Sequence, residues 1–258
     1  MNIKNNNFNS PDDLKKYCRR SNTLFTKYLY LPLAIKISFF LIKKINFIRP
    51  YQISLIGLIF GFISAYNFFN TNYYIGSIFF FISITFDFVD GLYARATNDQ
   101  TTTGIIFDML SDILVVLINS LALIASKFND QIYITIIILF LLLNYIESWV
   151  DFSLYSIFKN LKKQKKISLS VFESRILNLK KKLESSGLRT IFFSYQERYL
   201  LIFIIAPILN EFINVSFFSL ILQLFFLIFK IKFDYIIFKN FLINNKKESL
   251  KFRDNFYD

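Results

Sequence analysis

Long apolar runs dominate this chain and limit it to folds that a membrane can accommodate. Six runs approach the length of about 20 residues that a helix needs to cross the hydrocarbon core of a bilayer. They lie near 51–69, 73–94, 104–126, 131–155, 190–210 and 213–231. Because 54% of the 258 residues are apolar, a water-soluble globule would expose more apolar surface than it could bury. The sequence therefore predicts an all-α integral membrane protein with six transmembrane helices.

The basic residues lie between the apolar runs, and their distribution among the connections tests the predicted number of spans. Ten Lys and Arg precede residue 51, eleven lie at 159–198 and seven follow residue 229. The connections near 70, 128 and 211 contain only Lys127. Because cytoplasmic loops carry an excess of Lys and Arg, six spans put both termini and the 156–189 connection on the cytoplasmic side of the cell (inner) membrane. The net charge of +12 then reflects contact with anionic membrane lipid, and we expect no nucleic-acid partner.

Three regions follow from this pattern. Residues 1–49 form a cytoplasmic segment, and within it Lys27 and Lys36 divide an apolar stretch at 24–47, which is typical of an amphipathic helix lying in the membrane interface. Residues 50–231 form a six-helix membrane domain. Residues 232–258 form a basic cytoplasmic tail. A basic stretch at 159–166 is interpreted as a lipid-facing patch.

Four aspartates in two neighbouring runs form the clearest candidate site. Asp87 and Asp90 lie at the end of the second run, and Asp108 and Asp112 lie near the start of the third. At about 3.6 residues per turn, each pair lies on one helix face, and a short connection would make the two helices antiparallel neighbours. So much like charge in a low dielectric requires bound cations or protons. We therefore expect a pocket that holds Mg²⁺ or Mn²⁺, with two ions clamping a phosphate or pyrophosphate.

The residue types that are missing narrow the chemistry further. The chain has no histidine and one cysteine, Cys18, so a general base must be a carboxylate, a tyrosine or a lysine. For the same reason a metal ion must be held mainly by oxygen. The small residues at 91, 94 and 104 would let a ligand approach the backbone, and Arg95 offers a forked donor for phosphate.

This stretch of sequence resembles the signature of the CDP-alcohol phosphotransferase (CDP-alcohol phosphatidyltransferase) family. The motif D-x-x-D-G-x-x-A-R, eight residues, then G-x-x-x-D-x-x-x-D covers residues 87–112 in full. Eight fixed positions at about 5% each would arise by chance in roughly one chain of this length in 10⁸. Upstream, the residues from Arg49 to Ser54 are similar to the family's Pro-Asn-x-x-Thr start of the first span, with Tyr51 and Ser54 in place of the Asn and Thr.

The resemblance implies roles for these residues. The four aspartates would hold the metal ions, and Asp112 would also be the catalytic base that takes the proton from an acceptor hydroxyl. That hydroxyl would attack the phosphorus of a CDP-linked donor, and CMP would leave. The donor-binding residues would be Ser54, Gly91, Ala94, Arg95 and Gly104. The resemblance also implies a homodimer in the membrane, with each active site facing the cytoplasm.

The identities of the donor and the acceptor stay open. CDP-diacylglycerol with a soluble alcohol, in phospholipid biosynthesis, is the main hypothesis. A soluble donor such as CDP-choline, CDP-ethanolamine or CDP-inositol, with a lipid or sugar acceptor, fits the same motif. On the fourth span Asn144, Glu147 and Asp151 form a polar stripe, and Glu147 and Asp151 are candidates for binding the acceptor or for packing helices together. Arg198 is a candidate for binding an acceptor phosphate or for pairing with its neighbour Glu197.

Two functions from other classes fit the sequence less well. An ion-coupled membrane transporter also has acidic residues within its spans, but it predicts broken helices in both halves of the chain, whereas the acids here are concentrated in one helix pair. A non-catalytic scaffold of the same family would have lost motif residues. All eight are present.

Overall fold

All the regular secondary structure in the part of the chain that the structure describes is helical. This computed structural model describes residues 8–18, 23–45, 48–161 and 195–244, with side chains described as far as residue 150 in the third range and 232 in the last. The amino-terminal part contains a 3₁₀ helix, Pro11–Tyr17, a π-helical turn, Thr26–Tyr30, and helix α1, Leu31–Lys44. The central helices are α2, Pro50–Phe69, α3, Tyr73–Thr97, α4, Thr102–Ser126, and α5, Gln131–Leu161. The carboxy-terminal part contains α6, Tyr195–Leu200, a π-helical turn, Leu201–Ile205, α7, Ala206–Leu209, and α8, Phe212–Asn244.

Five of the described helices are long and apolar enough to cross a membrane. These candidate spans are Pro50–Phe69, Tyr73–Thr97, Thr102–Ser126, Gln131–Val150 and Phe212–Lys232. Each begins within a few residues of an apolar run that predicted it, so the all-helical character is confirmed for the described residues, and five of the predicted spans are confirmed as candidate membrane-spanning helices. The predicted span at 190–210 is not among them. Its described part consists of α6, the second π-helical turn and α7, and residues 190–194 lie outside the described residues. The sixth span therefore stays a prediction.

Helix α2 lies against both helices that carry the aspartate motif. Helices α3 and α4 pack against α2 more extensively than against each other. A Cβ atom at Gly61 would lie 2.6 Å from Cγ2 of Val115, so only glycine allows α2 and α4 to approach this closely. Asn119 on α4 donates a hydrogen bond to the carbonyl of Gly61, and Ser83 on α3 donates one to the carbonyl of Gly57. The expectation that α3 and α4 are immediate neighbours is thus corrected, because each packs mainly on α2.

The tight connection between α3 and α4 brings the two pairs of aspartates to the same height along these helices. Helix α3 ends at Asn98, which adopts a left-handed backbone conformation with φ of 55° and donates its N–H to the carbonyl of Ala94. Helix α4 begins after Thr101, whose side-chain hydroxyl accepts a hydrogen bond from the N–H of Gly104 at 3.0 Å. Asn and Thr are favoured at these positions because they satisfy backbone groups that a helix end leaves unpaired. The last turns of α3 therefore face the first turns of α4.

The amino-terminal segment packs on the end of α3. Leu14 of the 3₁₀ helix and Ile35 of α1 form a buried cluster with Leu92 and Ala96 of α3. The Ser38 hydroxyl of α1 donates a hydrogen bond to the carbonyl of Val89 at 3.3 Å. These contacts hold the segment beside the residues of the motif. The location of α1 in the membrane interface, and the division of the chain into 1–49, 50–231 and 232–258, stay predictions.

Candidate active site

Four aspartates from α3 and α4 line one cavity. They are Asp87, Asp90, Asp108 and Asp112. One carboxylate oxygen from each of Asp87, Asp90 and Asp108 lies within 4.8 Å of the other two. Asp112 lies one helical turn beyond Asp108 in the wall of the same cavity. The structure thus brings together all four residues that the sequence predicted as metal ligands.

The chemistry of this cluster fits a divalent cation that prefers oxygen ligands. Asp90 is only 3% exposed, while Asp87 and Asp108 are half-buried. Several carboxylates this close together in a poorly solvated site repel one another unless a cation or bound protons compensate their charge. Carboxylate oxygens are the ligands that Mg²⁺ and Mn²⁺ prefer. Asp87, Asp90 and Asp108 are therefore a suitable ligand set for such an ion.

Ser54 connects α2 to this cluster. Its hydroxyl donates a hydrogen bond to Oδ2 of Asp90 and also lies 3.3 Å from the carbonyl oxygen of Pro50. This serine occupies the position where the resembling family has threonine, and both residues supply a hydroxyl. Ser54 therefore has the hydroxyl that this contact with the aspartate requires.

A cavity of about 410 Å³ opens beside the carboxylates, between the start of α2, the end of α3 and the start of α4. All five residues that the sequence predicted to bind the donor line it, namely Ser54, Gly91, Ala94, Arg95 and Gly104. The wall also contains five residues that are not fixed positions of the aspartate motif, namely Arg49, Tyr51, Asp99, Gln100 and Thr101. We refer to this space as the donor cavity.

Glycine suits each of the two glycine positions of the motif for a different steric reason. A Cβ atom at Gly91 would lie 3.2 Å from Nη1 of Arg95, so glycine lets the guanidinium group lie close against α3. A Cβ atom at Gly104 would lie 2.9 Å from the Thr101 hydroxyl that caps α4. Arg95 also donates a hydrogen bond from Nε to the carbonyl of Tyr17 at 2.8 Å. The guanidinium group is thus held between the motif and the amino-terminal segment.

A second, smaller cavity of about 90 Å³ meets a different set of carboxylates. Its wall contains Asp87, Asp108 and Asp112, together with Gly91 and Arg95. The amino-terminal segment contributes Thr23, Thr26 and Leu31, and α6 contributes Tyr195 and Gln196. Sequence reasoning missed Thr23, Thr26 and Tyr195 because they are distant from the motif along the chain and belong to no recognisable pattern. We refer to this space as the second cavity.

The predicted acceptor-binding residues form a separate ionic cluster. Arg198 is 2% exposed, and its Nη2 lies 2.6 Å from Oε2 of Glu147 and 2.9 Å from Oδ1 of Asn144. Lys230 of α8 lies 3.7 Å from the other carboxylate oxygen of Glu147. Neither Glu147 nor Arg198 lines any of the three cavities described above. The side chain of Asp151 and the basic patch at 159–166 lie outside the described side chains.

Comparisons with known proteins agree with the overall fold. Two crystal structures of phosphatidylinositol phosphate synthase (PgsA1) from Mycobacterium tuberculosis share the fold. The structure with CDP-DAG bound is 14% identical, with a TM-score of 0.52, and covers 79% of this chain and 93% of its own. The complex with manganese and citrate is 15% identical, with a TM-score of 0.52, and covers 78% of this chain and 88% of its own. At these identities the likeness is one of fold.

A comparison with curated proteins finds none that matches this sequence. The family model for CDP-alcohol phosphatidyltransferase, in contrast, matches residues 47–229. This range contains the complete aspartate motif, the donor cavity and the five candidate spans apart from the last three residues of the fifth. The chain therefore belongs to the CDP-alcohol phosphatidyltransferase family.

Proposed function

We propose that this protein transfers a phosphatidyl group from CDP-diacylglycerol to the hydroxyl of an acceptor alcohol, releasing CMP, in phospholipid biosynthesis. The observation that carries the proposal is that four aspartates and all five predicted donor-binding residues line adjoining cavities. Family membership supports a transferase that uses a CDP-linked donor. The similar fold of PgsA1, which was crystallised with CDP-DAG bound, supports a lipid-linked donor.

The rim of the donor cavity favours a lipid donor over a soluble one. Two apolar residues of its wall lie on candidate membrane spans and are exposed: Tyr51 by 45% and Ile105 by 64%. A donor with acyl chains can place its CDP group in the cavity while the chains lie against this apolar rim and the surrounding lipid. A soluble donor such as CDP-choline would make no use of the rim.

We also propose that the reaction depends on a divalent metal, Mg²⁺ or Mn²⁺, with two ions at the site. Asp87, Asp90, Asp108 and Asp112 would hold them, and ions bound there would neutralise negative charge on the donor pyrophosphate and the departing CMP. The oxygen-only ligand set supports this assignment, as does the manganese complex of PgsA1.

Asp112 is proposed as the catalytic base. It lines the second cavity but is not part of the wall of the donor cavity, so it faces a side from which an acceptor can approach. Its carboxylate would take the proton from the acceptor hydroxyl as that oxygen bonds to the phosphorus carrying the diacylglycerol. The bond from that phosphorus to the phosphate oxygen of CMP then breaks. Arg95, which borders both cavities, would donate hydrogen bonds to phosphate oxygens of the donor.

Three further proposals concern the protein in its membrane. The alternation of basic loops supports an inner-membrane location with both termini and the active site on the cytoplasmic side. Family resemblance supports a homodimer. An acceptor-binding role for Glu147, Asp151 and Arg198 stays a prediction, and the buried ion pair between Glu147 and Arg198 favours a structural role for those two residues.

The donor assignment is tested by comparing CDP-diacylglycerol with CDP-choline in an assay of CMP release by the detergent-purified protein. We expect acceptor-dependent release of CMP from CDP-diacylglycerol alone. Release from CDP-choline alone would keep the reaction type and overturn the lipid donor.

A further inference from the structure

We propose that the second cavity binds the acceptor alcohol, and that Thr23 and Thr26 determine its specificity by binding a hydroxyl of the acceptor other than the attacking one. The acceptor class that fits is a polyol, such as a glycerol or inositol derivative with or without a phosphate. This inference rests on the proposed phosphatidyl transfer and assigns the other substrate of the same reaction.

The two cavities reach the carboxylate cluster through two sets of aspartates that differ but share Asp108. The donor cavity contains Asp90 and Asp108, whereas the second cavity contains Asp87, Asp108 and Asp112. In phosphoryl transfer the attacking oxygen and the leaving oxygen lie roughly in line on opposite sides of the phosphorus. The acceptor therefore needs its own approach to the cluster once the donor occupies its cavity. The second cavity supplies this approach and has the proposed base in its wall.

Thr23 and Thr26 present two hydroxyls to this cavity, and the hydrogen-bonding capacity of the pair is only partly used. They are 2% and 3% exposed, and their Oγ1 atoms lie 2.9 Å apart in a hydrogen bond. One hydroxyl proton serves that bond, so the other proton of the pair remains to be donated elsewhere. Within the described residues no further hydrogen bond is made by either hydroxyl. Because a buried hydroxyl without a full set of partners is costly, a ligand hydroxyl in the cavity would be a favourable partner.

Contacts with α3 hold this threonine pair in a fixed position relative to the carboxylates. The ring of Tyr30, one turn beyond Thr26, stacks on Phe88 with ring centroids 5.3 Å apart. Phe88 lies next to Asp87 in the sequence and also lines the second cavity. Nearer the amino terminus, the Tyr17 carbonyl accepts the hydrogen bond from Arg95. The wall that would bind the acceptor is therefore attached to α3, the helix that bears Asp87 and Asp90.

The hydrogen bonds that the Thr23 and Thr26 hydroxyls can make indicate which class of acceptor would bind. A hydroxyl can both donate to and accept from the threonine pair, so a polyol satisfies it while a second hydroxyl attacks the phosphorus. An amino alcohol such as serine has one hydroxyl, which must be the attacking group. Its ammonium group can only donate hydrogen bonds and its carboxylate can only accept them, so neither can both donate to and accept from the threonine pair as a hydroxyl does.

The test uses the full-length, detergent-purified protein and measures CMP release from CDP-diacylglycerol. Wild-type protein is first assayed with glycerol 3-phosphate, inositol 1-phosphate, inositol and serine. Thr23→Val, Thr26→Val and Thr26→Ser are then assayed with the acceptor that gives the highest wild-type rate. Thr135→Val is the matched control, since it makes the same chemical change on α5, where the Thr135 hydroxyl bonds the carbonyl of Gln131 and lies outside all three cavities.

We expect a polyol to be the best acceptor, and the valine variants at 23 and 26 to raise the KM for that acceptor by about three- to tenfold, the effect of one lost hydrogen bond. The KM for the donor should not change, and Thr26→Ser and Thr135→Val should behave like wild type. A preference for serine, or an unchanged acceptor KM in both folded valine variants, would overturn the inference and leave the proposed function intact. Absence of CMP release by the wild type with every acceptor would overturn the proposed function, and this inference with it.

Discussion

The Ser54 hydroxyl donates a hydrogen bond to Oδ2 of Asp90, joining the beginning of α2 to a buried carboxylate of α3. This contact holds the carboxylate of Asp90 within the aspartate cluster that it forms with Asp87 and Asp108. Groups that orient metal ligands in this way contribute strongly to metal affinity. Because Ser54 also lines the donor cavity, it connects the metal site to the place where the donor would bind.

Replacement of Ser54 by alanine should weaken metal binding. Loss of an orienting partner typically lowers metal affinity or activity by about 10- to 100-fold, so Ser54→Ala should raise by a similar factor the Mg²⁺ or Mn²⁺ concentration needed for half-maximal CMP release. Ser54→Thr keeps the hydroxyl and serves as the control, with a metal requirement near that of wild type. An unchanged metal requirement in Ser54→Ala would show that the hydrogen bond does not support the ligand.

The proposed base can be separated from the other aspartates by an isosteric change. Asp112→Asn should lower the turnover number by at least about 100-fold, because an amide cannot take the acceptor proton, while CDP-diacylglycerol still binds. Asp108→Asn, by contrast, should weaken metal-dependent binding of the donor. Both effects can be measured by combining the CMP assay with titration calorimetry of the donor. Wild-type turnover in Asp112→Asn would refute its role as base.

The close crossing of α2 and α4 should depend on Gly61. A Cβ atom there would lie 2.6 Å from Val115, so Gly61→Leu should destabilise the fold by about 1–3 kcal/mol and lower the melting temperature in detergent. Adding Val115→Ala to Gly61→Ala should restore part of the stability that Gly61→Ala alone loses. Phe62→Leu on the exposed face of α2 is the control. Equal melting temperatures for Gly61→Leu and Phe62→Leu would contradict the close packing.

The ionic cluster around Arg198 should be structural. Removing one partner of a buried ion pair typically costs about 3–5 kcal/mol, so Glu147→Gln should lower the melting temperature markedly. The paired change Glu147→Leu with Arg198→Met should recover much of this loss, because the buried guanidinium group of Arg198 is then no longer left without its carboxylate. If Glu147→Gln instead left the melting temperature unchanged and raised the KM for the acceptor, the acceptor-binding role predicted from the sequence would be supported.

Local sequence patterns predicted much of this molecule. Apolar runs of membrane-spanning length located five helices to within a few residues at their starts, because a helix in lipid must be continuously apolar. The spacing of the aspartate motif placed its carboxylates on two helix faces that do meet in one cavity. The motif glycines, with their close contacts to Arg95 and Thr101, lie where a motif-based analysis expects small residues.

Local sequence patterns could not predict contacts between distant parts of the chain. Nothing near Thr23 or Thr26 indicates that an amino-terminal segment packs beside the motif, since that placement depends on the Leu14 and Tyr30 contacts with α3. The pairing of Arg198 with Glu147 joins residues from two separate helices, whereas the sequence offered its neighbour Glu197 as an equally suitable partner. The position of α2 against both motif helices likewise depends on packing at Gly61.

The most direct test of the account is metal-dependent release of CMP by the detergent-purified protein supplied with CDP-diacylglycerol and the acceptor panel. We predict CMP release that requires an acceptor, stops when the divalent metal is chelated, returns when Mg²⁺ or Mn²⁺ is added back, and is absent in Asp112→Asn. Failure to release CMP from CDP-diacylglycerol or CDP-choline with either metal and every acceptor would contradict the account.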